Sequence, residues 1–155
     1  MFTIKEIIDN NEKTVITKQI LTELPEWFVD NQAVERYARE AARNVFFAAK
    51  DVQDVPVGFV SLKILNLFTG EIEAIGVNKA YHRQKIGYCL LRRAEHYLSY
   101  SGFKFVIAKT LGGGADDPWY KITRSFFYHQ GFYPLQEFSE IWGKNNPCLL
   151  IAKAL

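Results

Sequence analysis

Apolar residues along the chain recur in two rhythms, and the switches between them divide the sequence into elements. Phe2 to Ile8 reads as a first strand, and the polar run Asp9-Asn10-Asn11 reads as a turn. Ile16, Ile20, Leu21 and Leu24 then fall at helical spacing until Pro25 ends the segment. A second helix starts after Asp30 or Asn31, with Val34, Tyr37, Ala38, Ala41 and Ala42 facing inward and Glu35, Arg36, Arg39 and Arg43 facing water. Val45 to Ala49 and Val57 to Ile64 are β-rich and joined by a polar link around Asp51 and Pro56, as in an antiparallel hairpin. Glu71 to Val77 comes next as another strand. Gly87 to Tyr100 carries Leu90, Leu91, Ala94, Tyr97 and Leu98 on one stripe, and Gly102 sits where a helix C-terminus favours glycine. After a short strand, Phe105 to Lys109, the glycine-rich run Gly112 to Asp116 reads as a flexible loop. Asp117-Pro118 then supplies an N-cap and a proline at the first position of a helix running to His129. Phe132 to Phe138 and Cys148 to Ala154 close the chain as strands around the turn Lys144 to Pro147.

This order predicts a single α/β (α+β) domain over residues 1–155, a mixed and mostly antiparallel sheet of six to seven strands flanked by about four helices. Composition supports one compact core, since 48% of the 155 residues are apolar or aromatic. The net charge of +2 is spread along the chain and lacks the density of a dedicated nucleic-acid binder, so a nucleic-acid partner is not expected. Cys89 and Cys148 each sit among apolar residues and read as free buried thiols, which fits a reducing, cytoplasmic setting. No apolar run approaches the ~20 residues of a membrane span, the N-terminus has no leader pattern, and no membrane partner is expected. His82, His96 and His129 share no ligand spacing, and no metal is expected.

The segment richest in chemistry runs from Glu71 to Leu91: a strand, a short basic turn, then a secure helix. The first amides of a helix have no internal partner and lie at the positive end of its dipole, so this is an anion site in outline. His82, Arg83 and Lys85 add charge to the same spot.

The same stretch resembles the signature of the Gcn5-related N-acetyltransferase superfamily, a strand followed by Arg-Gly-x-Gly-x-Gly or Ala opening a helix. Laid on this chain, the signature puts Arg at His82, its glycines at Arg83 and Lys85, and its last small residue at Gly87, which alone matches the strict form. Tyr81, Ile86, the Leu90-Leu91 pair and the run Phe127-Tyr128-His129-Gln130-Gly131-Phe132 are similar to the family's surrounding pattern, as is the element order over the whole length. The resemblance implies that acetyl-coenzyme A is the co-substrate. Its diphosphate would lie on His82, Arg83, Gln84, Lys85, Ile86, Gly87 and Tyr88, its arm along Ile75, Gly76 and Val77, with Thr123 and Tyr120 beside the arm. Because Arg83 and Lys85 carry a Cβ, either the turn needs no positive φ or the cofactor binds less tightly.

Acetyl transfer to an amine needs a base for the amine and an acid for the departing thiolate. Glu73 is the candidate base, on the same face as Glu71 and Val77 by strand alternation; the alternative is that both glutamates are solvent-facing strand carboxylates. For the acid, the family's Tyr position holds Phe127 here. Tyr128 is adjacent but about 100° round the helix, Tyr120 lies on the face of Phe127, and Tyr88 or water are further alternatives. Trp27 and Phe28 fall where the family often lines its acceptor pocket, and Gly112 to Gly114 reads as a rim of it. The resemblance implies a small-molecule or peptide amine as acceptor. A non-catalytic acyl-coenzyme A binding module and a transferase acting on a protein or RNA-linked amine are the rival readings. Phe138, Ile141 and Trp142 fit either a homodimer edge or a cap on the core.

Overall fold

A computed structural model describes Met1 to Leu155 as a seven-stranded sheet with helices on both faces. The strands are β1 (Phe2–Glu6), β2 (Val45–Asp51), β3 (Pro56–Ile64), β4 (Thr69–Val77), β5 (Phe105–Leu111), β6 (Tyr133–Phe138) and β7 (Cys148–Ala154). The helices are α1 (Asn10–Thr22), α2 (Asn31–Ala41), α3 (Ile86–Tyr100) and α4 (Pro118–His129). Spatial order is β1-β2-β3-β4-β5-β7-β6, and every neighbouring pair is antiparallel except β4 and β5.

The run Asp9-Asn10-Asn11, expected as a turn, instead begins α1. The Asp9 carboxylate accepts from the Glu12 amide at 2.8 Å and caps the helix at once. Asp30 and Asp117 cap α2 and α4 in the same way. The glycine-rich run after β5, expected as a flexible loop, forms one short 3-10 turn at Gly113–Ala115.

Two cores lie on opposite faces of the sheet. On one, Ile16, Ile20 and Leu21 of α1 and Val34 and Ala41 of α2 pack on Phe46, Ala48, Phe59 and Ala74. On the other, Leu90, Leu91, Ala94 and Leu98 of α3 and Phe127 of α4 pack on Phe47, Val60, Leu62, Ile72, Val106 and Ala108. Burial of each such large side chain is worth about 1.5–3 kcal/mol, so the helices hold position chiefly through these stripes.

Two irregularities position the site. β4 and β5 pair only from Thr69↔Phe105 to Ile72↔Ala108, after which the strands part. On its other edge β4 skips a residue against β3: Ser61 pairs with Ala74 and Leu62 with Ile72, leaving Glu73 as the extra residue of a β-bulge.

Close packing of α3 on the sheet depends on Gly58, where an added Cβ would meet the Gly76 carbonyl oxygen at 3.0 Å and Leu90 Cδ1 at 3.2 Å. Gly58→Ala is expected to destabilise the fold by about 1–3 kcal/mol through overpacking. Urea unfolding would register this as a lower midpoint at unchanged slope.

Candidate active-site cleft

Where β4 and β5 part, a cleft of about 650 Å³ opens between the two strands and runs between α3 and α4. From Glu73 onward, β4 has no strand partner on the β5 side, so that edge presents its backbone groups to the cleft. Ile75, Gly76 and Val77 line it there.

At one end the cleft meets the start of α3. Lys85 occupies the N-cap position in the left-handed conformation, φ 64° and ψ 18°, and its side chain makes no capping hydrogen bond. The amides of the first turn therefore face the cleft as free donors at the positive end of a 15-residue helix. Arg83 is also left-handed, φ 65°. The turn thus takes a backbone path suited to glycine while carrying two cations, at a strain of about 1–2 kcal/mol for each left-handed residue. Of the two alternatives open from the sequence, a turn that needs no positive φ is ruled out.

His82 braces the turn. Its Nε2 lies 2.7 Å from the Val77 carbonyl oxygen, which can only accept, so that nitrogen carries the proton. Gln84 is exposed and does not line the cleft, whereas Tyr81, His82, Arg83, Lys85, Ile86, Gly87 and Tyr88 do. Gly87 is helical, and a Cβ there would meet only the Phe126 ring at 3.6 Å and Val77 at 3.9 Å, ordinary contact distances. Glycine is not required at this position for the backbone.

At the other end lie Glu73 and a group of aromatic residues. Glu71 and Glu73 both point to the α1/α2 side, but the bulge breaks strand alternation, and Ile75 and Val77 pack on the opposite face. Glu73 and Val77 therefore do not share a face as alternation predicts. Asn44, in the link from α2 to β2, donates to Ser61 Oγ at 2.8 Å and to Glu73 Oε1 at 3.2 Å. The Lys13 ammonium, itself buried, donates to the Asn44 carbonyl at 2.7 Å. Lys63 stands 3.8 Å from the second Glu73 oxygen, and Lys109 stands 3.5 Å from Glu71. Burial pushes the Glu73 carboxyl above its ordinary value, only partly offset by Asn44 and Lys63. A carboxylate held this way is a stronger base than an exposed one.

The candidate acids divide. Phe127 is buried against Phe126 and Phe132. Tyr128 is 41% exposed and lies outside the cleft lining, so its candidacy has no geometric support. Tyr120 lines the cleft, but its O–H donates to the Trp27 carbonyl at 2.7 Å and burial raises its pKa to about 12, which makes it a weak acid. Tyr88 lines the cleft near the turn, 42% exposed.

The link between α1 and α2 bridges both lips of the cleft. Trp27 Nε1–H donates to Thr123 Oγ1 at 3.0 Å and to the Trp119 carbonyl at 3.1 Å, and its ring meets Trp119 edge to face at 5.2 Å. On the opposite lip, Asn78 donates to Glu23 and Lys79 pairs with Glu26, each at 2.7 Å. Thr110 adds one unsatisfied group: the residue lines the cleft at 3% exposure, and its buried hydroxyl has no partner in the protein. An orphaned buried hydroxyl, an open strand edge and an uncapped helix start fit a long ligand with amide groups and a diphosphate end.

Asn44, Tyr37, Lys63, Lys109, Thr110 and Trp142 join the site without standing out in the sequence as parts of it. Tyr37 reads there only as the inner face of α2. No local signal marks Asn44 or Lys63, because both reach Glu73 across strands. The two cysteines are free, as expected, but only Cys148 is buried; Cys89, on α3, is partly exposed. No group of metal-ligating side chains occurs, and no helix is long and apolar enough to cross a membrane.

Comparison with known proteins agrees with this geometry. The sequence profile of the "Acetyltransferase (GNAT) family" matches residues 16–132. A protein described as a putative acetyltransferase of the GNAT family from Desulfovibrio desulfuricans superposes with a TM-score of 0.85 at 14% identity, over 99% of each chain. An aminoglycoside 6'-N-acetyltransferase complexed with coenzyme A gives 0.74 at 18% identity, over 98% of this chain and 96% of that one. A GNAT-family acetyltransferase from Elizabethkingia anophelis with acetyl-CoA bound gives 0.73 at 17%, over 99% and 98%. No curated protein matches by sequence.

Strain at the turn and burial of Glu73 each have a measurable consequence. Lys85→Gly is expected to be about 1 kcal/mol more stable than Lys85→Ala, since only glycine relieves the left-handed conformation; paired denaturant curves measure the difference. For Glu73 the folded value is raised, so its contribution to stability is full below the ordinary value of 4.5 and is lost as pH rises through the raised one. Glu73→Gln should therefore melt higher than the native protein near neutral pH, and the gap should close in acid.

Proposed function

This chain belongs to the acetyltransferase (GNAT) family, and we propose that it transfers an acetyl group from acetyl-coenzyme A to a primary amine by direct attack. One observation carries this reading: the uncapped start of α3 lies beside the unpaired edge of β4, within one continuous cleft that ends at a buried carboxylate. When bound, acetyl-coenzyme A supplies an acetyl thioester, already activated for attack.

The residues divide the work by place. The amides of Ile86, Gly87 and Tyr88 hold a diphosphate, helped by the exposed cations Arg83 and Lys85. The backbone groups left unpaired from Ile75 to Val77, apart from the Val77 carbonyl that His82 engages, take an extended amide-bearing arm as an added strand, and Thr110 gives it one further polar partner. Thr123 borders the same channel, its hydroxyl fixed by Trp27. Glu73 takes the proton that an ammonium must lose before its nitrogen can attack. Tyr120 serves as a brace for the α1–α2 link, which leaves the returning proton for the sulfur to solvent.

A second reading is favoured by that missing acid: a module that binds acyl-coenzyme A and does not turn it over. Turnover with any amine removes it.

Calorimetric titration with acetyl-coenzyme A tests the site. Micromolar binding is expected, weakened at least tenfold by Gly87→Asp, which sets a carboxylate against the diphosphate. That variant should not unfold more easily, because an acidic residue at a helix start is favourable and the added atoms have room. Glu73→Gln should bind as the native protein does and transfer roughly a hundredfold more slowly. The native rate should fall in acid as Glu73 takes up its proton. An unchanged rate in Glu73→Gln would remove this residue as the base.

A further inference from the structure

The acceptor end of the cleft is walled by π surface. Phe28 comes from the α1–α2 link, Tyr37 from α2, Tyr120 from α4 and Trp142 from the link between β6 and β7, while Trp27 and Trp119 carry the aromatic lining on toward the basic turn, where the Trp27 ring meets His82 edge to face at 6.2 Å. Trp142 belongs to neither core cluster, so its place on the cleft is not a by-product of core packing.

Two of the polar groups along this lining are already engaged inside the protein. The Trp27 indole N–H is shared between Thr123 Oγ1 and the Trp119 carbonyl, and the Tyr120 hydroxyl donates to the Trp27 carbonyl. A hydroxyl-rich or peptide acceptor would bring more donors and acceptors than the Tyr37 hydroxyl and the Trp119 and Trp142 indole N–H groups can pair, and unpaired polar groups are strongly selected against. A ring or apolar chain brings no polar group of its own to leave unpaired, and it gains face and edge contacts.

Charge narrows the class further. Glu73 and Lys109 are the charged side chains lining this end. Lys109 is matched by Glu71 at 3.5 Å. Glu73 accepts from the neutral Asn44 amide at 3.2 Å, and its one cation within 4 Å is Lys63 at 3.8 Å, which does not line the cleft. One carboxylate is thus left for one ammonium, and aromatic faces beside it also favour a cation. A polyamine or an aminoglycoside would bring several charges to a place with one partner.

Resting on the reading of this cleft as an acetyl-transfer site, we propose that its acceptor is a small primary monoamine on an aromatic or apolar body, of the 2-phenylethylamine type. The ring lies against the Phe28, Tyr37 and Trp142 wall and the nitrogen is directed to Glu73. In the reaction the nitrogen bonds to the acetyl carbonyl carbon and the carbon–sulfur bond breaks, its electron pair leaving with sulfur. Of the two protons the ammonium loses, the first passes through Glu73, both reach solvent, and solvent returns one to the sulfur.

The test measures thiol release by the full chain with acetyl-coenzyme A and, in parallel, 2-phenylethylamine, ethylamine, spermidine, kanamycin and an unblocked short peptide. Specificity, kcat/KM, is expected to be highest for 2-phenylethylamine, roughly tenfold or more above the others. Trp142→Ala should lower kcat/KM for 2-phenylethylamine roughly tenfold more than for ethylamine, chiefly through KM. A preference for spermidine, kanamycin or the peptide would overturn the proposal, as would an equal loss for both monoamines in Trp142→Ala. Binding of acetyl-coenzyme A without acetylation of 2-phenylethylamine would overturn the acceptor class alone. Failure to bind it at all would remove the underlying reading as well.

Discussion

Everything in the site depends on the parallel ladder between β4 and β5 ending after Ile72 and Ala108. Parallel neighbours need a crossover, and here the crossover is α3, which leaves from the far end of β4 and packs back across the sheet through Leu90, Leu91, Ala94 and Leu98. That route puts the positive end of α3 next to the end of β4. If the ladder ran its full length, β5 would occupy the β4 edge and no channel would reach from the helix start to Glu73. Because the strands part, a strand edge and a helix terminus, each with unsatisfied backbone donors, face the same space.

The bulge at Glu73 is the second constraint, and it acts on a side chain where the first acts on backbone. In a regular strand Glu73 would alternate with Ile72 and Ala74. The extra residue lets Glu73 and Ala74 share the α1/α2 side while Ile75 returns to the α3 side. Glu73 is then held by Asn44, and Asn44 in turn by the buried Lys13 ammonium through its carbonyl. This chain of contacts joins α1, the α2–β2 link and β4, so the position of one carboxylate is set by three separate segments. Such a group is well placed to take a proton at a fixed point, because its rotamer is limited by partners that belong to the core.

Much of the fold is legible in the sequence because it rests on local chemistry. Caps at Asp30 and Asp117, the stripe of α3 and the β-rich runs of β2 and β3 are all short-range patterns, and each of these elements forms within a few residues of its expected bounds. Asp9 is ambiguous because the same residue types cap helices and make turns, and only the Glu12 amide decides between them. The basic-turn end of the cleft is legible for the same local reason, a strand, a basic turn and a helix in sequence. The other end is not. Whether Glu73 shares a face with Val77 depends on a register shift against β3, and Asn44, Lys63 and Trp142 reach the site from segments remote in sequence. Tyr128 and Tyr120 cannot be separated from spacing alone; the structure separates them by exposure and by the Trp27 carbonyl that Tyr120 binds.

The basic turn shows how strain and charge are set against each other. Two left-handed residues with side chains, Arg83 and Lys85, cost about 1–2 kcal/mol each, a large share of a folding free energy of about 5–15 kcal/mol. They persist because the helix beyond them is anchored: Ile86 is 1% exposed and Leu90 is fully buried, so the chain cannot relax the turn without withdrawing α3 from the sheet. A glycine turn would take the same path with less strain and present the same amides. It would lack the pair of cations beside the helix start, whose attraction for a diphosphate does not depend on the turn being flexible. The non-glycine turn is therefore compatible with an anion site, provided the packing of α3 is strong enough to hold it. On this chain the buried stripe from Ile86 to Leu98 meets that condition.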